Sequence, residues 1–283
     1  MAGERTMPAT PPATPPATLL CLHAHPDDEA MLTGELLAKA AEQGWRTIVV
    51  YGTRGDAGET EADLGRETLG ERRAREATAA CEQLGVARVA FLDHADSGMA
   101  GTDTNRRPDA FCNAATDDVA AAVAALVAEE DVLAVVGYDA NGTYGHPDHL
   151  QVHRSAHAVA ARLGVPWLIE ATWNREQLAA LDGTPPDPGF ASAAAELTHF
   201  VQGEPWFRAK MEAVKCHASQ RRRSADPRPK RTIDLWRARF GTEWFIARPL
   251  DGGAGPGPLA DLLDKAEDWP GPLVRPPDPG AAD

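Results

Sequence analysis

The stretch TLLCLHAHPDDE, residues 18–29, sets an apolar run directly against two histidines, a proline, two aspartates and a glutamate. The apolar half, Leu19–His23, reads as a strand buried on both faces. The polar half is costly to bury unless a cation or a hydrogen-bond network balances it. Imidazole and carboxylate at the end of a buried strand therefore read as one half of a metal site. The rest of the chain has to supply the other half.

Working outward, the pattern is strand, helix, strand. Between Glu29 and Gln43 apolar residues recur at helical spacing (Met31, Leu32, Leu36, Leu37, Ala40, Ala41), and Gly44 is a C-cap signal. Arg46–Tyr51 is a β-branched strand, which completes a right-handed parallel βαβ unit. The alternation continues with a helix over Leu69–Leu84, a strand over Arg88–Leu92, a helix over Asp117–Glu130 capped by Thr116, and a strand over Val132–Val136. A helix over Leu150–Leu163 and a strand over Trp167–Thr172 follow. Later come a helix over Pro205–Gln220, a strand over Thr242–Arg248 and a short helical patch near Leu259–Lys265.

This order predicts an α/β, Rossmann-like fold, a mainly parallel sheet flanked by helices with a less regular C-terminal part. The expected organisation is a disordered Pro/Ala/Thr-rich lead over 1–17, one domain over 18–250 and a Pro/Gly-rich tail over 251–283.

The 283 residues, 43% hydrophobic, are enough for one sizeable core. A net charge of −14 argues against nucleic acid as a partner. No apolar run approaches the roughly 18 residues of a membrane span. Cys21, Cys81, Cys112 and Cys216 are dispersed and suggest neither a disulfide scaffold nor a thiolate metal site, so a cytoplasmic location is expected.

Ligands of open α/β sheets bind at the carboxyl ends of strands. Four polar clusters fall there: His25–Glu29 after the first strand, Asp56 after the second, Asp96 after the third, and Tyr144–His149 after the fourth. His25 and Asp28 are three apart on a turn and can face one point. His146 and His149 repeat that spacing at a helix start. A His/Asp/His set leaves a position open for water, as catalytic zinc sites do, and such sets accept Zn2+, Fe2+ or Co2+. No GxGxxG follows the first strand, which speaks against a dinucleotide enzyme.

AHPDDE followed by GHPDH resembles the LmbE-like, or PIG-L, family of zinc-dependent N-acetylglucosamine deacetylases. GTRGDAGE, RAREATAACEQLGV, ADSGMAGT and YDANGTYGHPDH are similar to its mycothiol-pathway branch, and HASQ at 217–220 is also similar to the family. The resemblance implies His25, Asp28 and His149 as zinc ligands. It implies Asp27 as the general base acting on the attacking water, and His146 as oxyanion stabiliser and acid for the leaving amine. It makes Asp148 the carboxylate that tunes His146, and Tyr144 a mobile tyrosine that polarises the amide carbonyl. Asp56, Arg73 and Asp96 become sugar or inositol contacts, although the branch has glutamate where this chain has Asp56.

The residues themselves leave blander readings open: a solvated helix face for Arg73, turns for Asp56 and Asp96, a packed aromatic for Tyr144. His23 is expected to support the metal from beneath, and His153 and His157 to lie on a helix surface. His94, His199 and His217 are unassigned. The expected partner is a small N-acetylated aminosugar. The function expected is deacetylation of an N-acetylglucosamine-type substrate, such as N-acetylglucosaminyl-inositol. Alternatives are a mycothiol S-conjugate amidase, an antibiotic aminosugar deacetylase, or a metabolite-binding protein with structural zinc.

Overall fold

The computed structural model describes residues 17–183, 186–187, 189–221, 233–250 and 257–271. Its elements in chain order are β1 (Thr18–His23), α1 (Asp28–Leu32), α2 (Gly34–Glu42), β2 (Arg46–Thr53), α3 (Leu69–Gln83), β3 (Arg88–His94), α4 (Thr116–Leu126), β4 (Val132–Tyr138) and the single turn α5 (Gly142–Gly145). There follow α6 (Pro147–Leu163), β5 (Trp167–Thr172), α7 (Arg175–Asp182), β6 (His199–Val201), α8 (Glu204–Cys216), α9 (Ile233–Phe240), β7 (Glu243–Pro249) and β8 (Asp264–Lys265).

The sheet runs β3-β2-β1-β4-β5-β7-β6-β8. β1 to β5 pair in parallel; β7, β6 and β8 continue the sheet antiparallel. β1 lies at the centre, and Leu19, Leu20 and Leu22 are fully buried. Each such side chain contributes about 1.5–3 kcal/mol by leaving water. Strand order reverses between β1 and β4, so their carboxyl ends flank the crevice where such sheets bind ligands. Gly137 in β4 lets α6 come close: a Cβ there would stand 2.5 Å from the Ala156 Cβ.

Several expected boundaries shift, each for a local reason. The helix expected over Glu29–Gln43 is broken into α1 and α2 at Thr33, whose φ is −138°. The Thr33 hydroxyl donates to the Glu29 carbonyl at 3.1 Å and meets His23 Nε2 at 3.0 Å. Gly34 then lets α8 approach, since a Cβ would be 3.0 Å from Lys210 Cγ. Ala115, not Thr116, occupies the cap position of α4, which ends at Leu126 rather than Glu130. α6 starts three residues before Leu150, with Pro147 in its first turn and His146 as cap. α8 stops at Cys216, and a 3-10 turn covers Ala218–Gln220.

The late strand, β7, is present but antiparallel. α7, β6 and β8 are elements that the sequence pattern did not announce. The patch near Leu259–Lys265 is a 3-10 turn leading into β8. Leu259, Leu262 and Leu263, which fall within the expected tail, pack into the main core. Residues 1–16, 251–256 and 272–283 of the expected lead and tail lie outside the described residues. Among the described residues no helix is long and apolar enough to cross a membrane.

Candidate metal centre

β1 delivers His25 and Asp28 through a turn at Pro26. β4 delivers the second motif through a loop that Asp139 organises. The buried Asp139 carboxylate accepts from the Thr143 amide at 2.7 Å, the Thr172 hydroxyl at 2.5 Å and the Ser192 hydroxyl at 2.6 Å. Held this way, Thr143 takes φ 58°, and the chain turns sharply into His146 and α6.

Ligand-type atoms of His25, Asp28 and His149 lie within 4.8 Å of one another, and all three residues are buried. His25 Nδ1 is 3.6 Å from one Asp28 oxygen, and His149 Nε2 is 3.4 Å from the other. The opposite ring nitrogens are engaged elsewhere. His25 Nε2 meets Asp148 Oδ2 at 3.1 Å, and His149 Nδ1 meets the Thr143 hydroxyl at 3.2 Å. Such contacts fix the tautomers and leave His25 Nδ1 and His149 Nε2 facing the shared point.

A cation fits this donor set. Burial would lower the His25 pKa, yet hydrogen bonds to Asp148 and Asp96 and the Asp28 charge raise it to about 10. Burial would raise the Asp28 carboxyl, but His149 and His25 hold it well below the usual range. The pocket thus favours positive charge, and its donors are those of a divalent metal site. Tyr144 closes it: its hydroxyl is 3.2 Å from His149 Nε2, and its ring faces Trp173.

Asp27 stands beside this cluster with 34% of its side chain open. Burial pushes its carboxyl up to about 6, against the pull of Arg73. His146 is lowered to about 4 by burial and by the neighbouring His25 and His149. Its Nδ1 accepts the Asp148 amide proton at 3.1 Å, which leaves Nε2 as a neutral donor.

The Asp148 carboxylate bonds His25 Nε2 and the Ser97 amide and hydroxyl, and its charge also acts on the neighbouring His146 ring. Asp96 is buried; its Oδ1 accepts from the Gly98 amide at 2.8 Å and lies 3.6 Å from His25 Nε2, and its Oδ2 accepts from the Ala57 amide at 3.2 Å. A second grouping of ligand-type atoms, from His25, Asp96, His146 and Asp148, is also compact and shares His25 with the first.

Arg73 is only 4% exposed, which rules out the solvated face. It donates to Gly55 O at 2.9 Å and Pro26 O at 2.5 Å and lies 3.4 Å from Asp27 Oδ1. Asp56 is exposed and accepts from the Asp96 amide at 3.2 Å.

His23 bonds Thr33 and Tyr138, and it is the Tyr138 ring that stacks on His149 at 4.5 Å. His153 and His157 lie away from the centre on α6, paired with Glu170 of β5, to which Arg248 supplies a cation. His217, unassigned from sequence, bonds Glu29 at 2.6 Å; its signal was the HASQ similarity.

A cavity of about 810 Å³ opens above the centre, lined by Asp27, Glu59, Thr60, Glu61, Met99, Tyr144, Ser219, Gln220 and Arg221. Sequence reasoning missed most of this wall.

An open α/β sheet with a His/Asp/His cluster, a free carboxylate and a neutral imidazole donor at its switch point has the parts of a metal-assisted hydrolase. Residues 20–160 match the PIG-L family, described as GlcNAc-PI de-N-acetylase. A 1D-myo-inositol 2-acetamido-2-deoxy-alpha-D-glucopyranoside deacetylase of Streptomyces scabiei is 35% identical over 255 residues, covering 75% of this chain and 79% of that protein. The chain belongs to the PIG-L family and is a deacetylase.

Among solved structures, N,N'-diacetylchitobiose deacetylase from Pyrococcus horikoshii shares the fold, with a TM-score of 0.55 and 21% identity over 82% of this chain and 84% of that one. The 4-carboxy-2-hydroxymuconate hydratase of Pseudomonas putida shares it too, with a TM-score of 0.53 and 21% identity over 83% and 99% of the two chains. The fold alone therefore does not set the chemistry; the site does.

Proposed function

We propose that this chain is a zinc-dependent, cytoplasmic hydrolase that removes the acetyl group from an N-acetylglucosamine-type substrate, with N-acetylglucosaminyl-inositol the leading candidate. The observation that carries this reading is the position of Asp27, open to the cavity floor beside the buried His25, Asp28 and His149. His25, Asp28 and His149 would hold the zinc ion, which when bound would supply a more acidic water and polarise the amide carbonyl. Asp27 takes the proton of the attacking water. His146 donates from Nε2 to the oxygen that gains charge, and Tyr144 assists from the opposite wall. His146 is expected from the family resemblance to protonate the leaving amine as well; because its Nδ1 already accepts the Asp148 amide, we assign that proton instead to Asp27, which has taken it from the water.

The sugar and its substituent are read by the cavity wall, while Arg73, Asp96 and Asp56 keep that wall in place. The four thiols are all free, in keeping with a reducing compartment. Met99, 51% exposed at the cavity rim, offers an apolar contact that favours the conjugate amidase as the second reading.

A panel of N-acetylated glucosaminides, including the inositol-linked one and an amidase substrate, scored for primary amine release, tests both readings. Turnover of the inositol compound, lost in Asp27→Asn with metal retained, is the expected result. Unchanged hydrolysis by Asp27→Asn would sink the base assignment.

A further inference from the structure

Asp27 has φ 110° and ψ −24°, a left-handed conformation that a side chain adopts only under constraint. Such residues persist where their surroundings over-determine them. Asp27 also occupies the cap position of α1, yet its side chain makes no capping bond. The usual work of an N-cap aspartate has been lifted from it, which leaves the carboxylate free for the cavity.

The constraint comes from two sides. Arg73 of α3 holds the Pro26 carbonyl and lies against the Asp27 carboxylate. On the other side, the Asp27 amide donates to Glu29 Oε2 at 2.9 Å. Glu29 Oε1 in turn meets His217 Nε2 at 2.6 Å. Glu29 and His217 are 0% and 3% exposed, and they join α1 to the end of α8 across 188 positions. Two residues on, Ser219 is anchored through its amide and hydroxyl to Glu76 of α3 and lines the cavity.

We propose that the Glu29–His217 pair is a positioning device, holding the Asp27 peptide in its strained conformation so that the carboxylate points at the attacking water. The inference rests on Asp27 acting as the base. The pair's value lies in geometry rather than stability. A buried ion pair replaced whole by apolar residues is often neutral or stabilising. Misplacing a reacting group by about 1 Å costs on the order of 10²-fold in rate.

The test is a variant series on the full chain with its metal, assayed on whichever glucosaminide the panel identifies. The double variant Glu29→Leu/His217→Leu is expected to keep its melting temperature, metal content and KM. Its kcat is expected to fall on the order of 10²-fold. Glu29→Gln keeps an acceptor for the Asp27 amide and should recover most of that loss. Should the double variant not fold, His217→Gln, which still donates to Glu29, and His217→Leu carry the comparison; the first should be nearly wild type and the second slow.

An unchanged kcat, a loss that Glu29→Gln does not recover, or a loss that tracks metal release would each overturn the proposal. Asp27→Asn is run alongside. If it is inactive while the pair variants are fully active, positioning fails and the base assignment stands. If it is fully active, the base assignment itself fails.

Discussion

His25 Nε2 lies 3.1 Å from Asp148 Oδ2, a contact that spans 123 positions and ties the first histidine motif to the second. The Ser97 amide, at 2.9 Å, and the Ser97 hydroxyl hold the same carboxylate. Three segments at the ends of β1, β3 and β4 are thus locked together beneath the candidate metal centre.

This contact makes Asp148 a determinant of metal affinity. Asp148→Asn removes the charge that orients and enriches the His25 ring, and such changes lower metal affinity about 10–100-fold. Competition with a chelator measures it. An affinity equal to wild type would show that His25 needs no such support.

Arg73→Gln acts through Asp27. The Arg73 cation pulls the Asp27 carboxyl down against burial, so its removal raises that pKa further. A base works deprotonated, and the acid limb of kcat should therefore move to higher pH, with kcat itself reduced because the Pro26 carbonyl loses its donor. A pH–rate profile checks the direction; an acid limb that stays put or moves lower contradicts it.

Glu170 predicts how stability responds to acid. Burial would raise its carboxyl, but hydrogen bonds from His153, His157 and Arg248 outweigh that and hold it at about 2, from an ordinary value of 4.5. A depressed folded-state pKa contributes stability that is complete above 4.5 and is lost as pH falls towards about 2. Glu170→Gln should be less stable than wild type at neutral pH, and urea unfolding at successively lower pH should show the gap closing. His153 is raised chiefly by its bond to Glu170, so the same substitution should lower the His153 pKa, read from its ring proton shifts.

Gly137→Ala tests the packing of α6 on β4. The new Cβ would sit 2.5 Å from that of Ala156, and Val152 and the rest of the helix face are fully buried behind it. Overpacking of this kind costs about 1–3 kcal/mol. Because α6 carries His149, metal affinity should fall along with the unfolding free energy; a neutral effect on both would mean that the helix can retreat freely.

Much of the framework was legible from local pattern. The buried strands announce themselves because a central parallel strand such as Leu19–His23 is apolar on both faces. The two histidine motifs stand out because polar clusters directly after such strands have to be balanced. The edge of the sheet was harder to read: β6 and β8 have three and two residues, too few for any periodicity, and β6 exists because β7 offers it a partner, as β6 then does for β8. The same holds for Leu259, Leu262 and Leu263, whose Pro/Gly-rich surroundings hide the fact that they have a core to enter.

By itself, TLLCLHAHPDDE with its later partner GHPDH determined the class of fold, the residues that gather at one crevice and the family to which the chain belongs. Only the tertiary structure decided which carboxylate serves which ring. Asp148 neighbours His146 in sequence yet turns to His25, because the helix start points its side chain across the crevice. Likewise only the folded chain could bring His217 beneath Glu29 and so set the strained peptide of Asp27. Local composition encodes what a segment prefers; contacts over a hundred positions or more are chosen by how those segments pack.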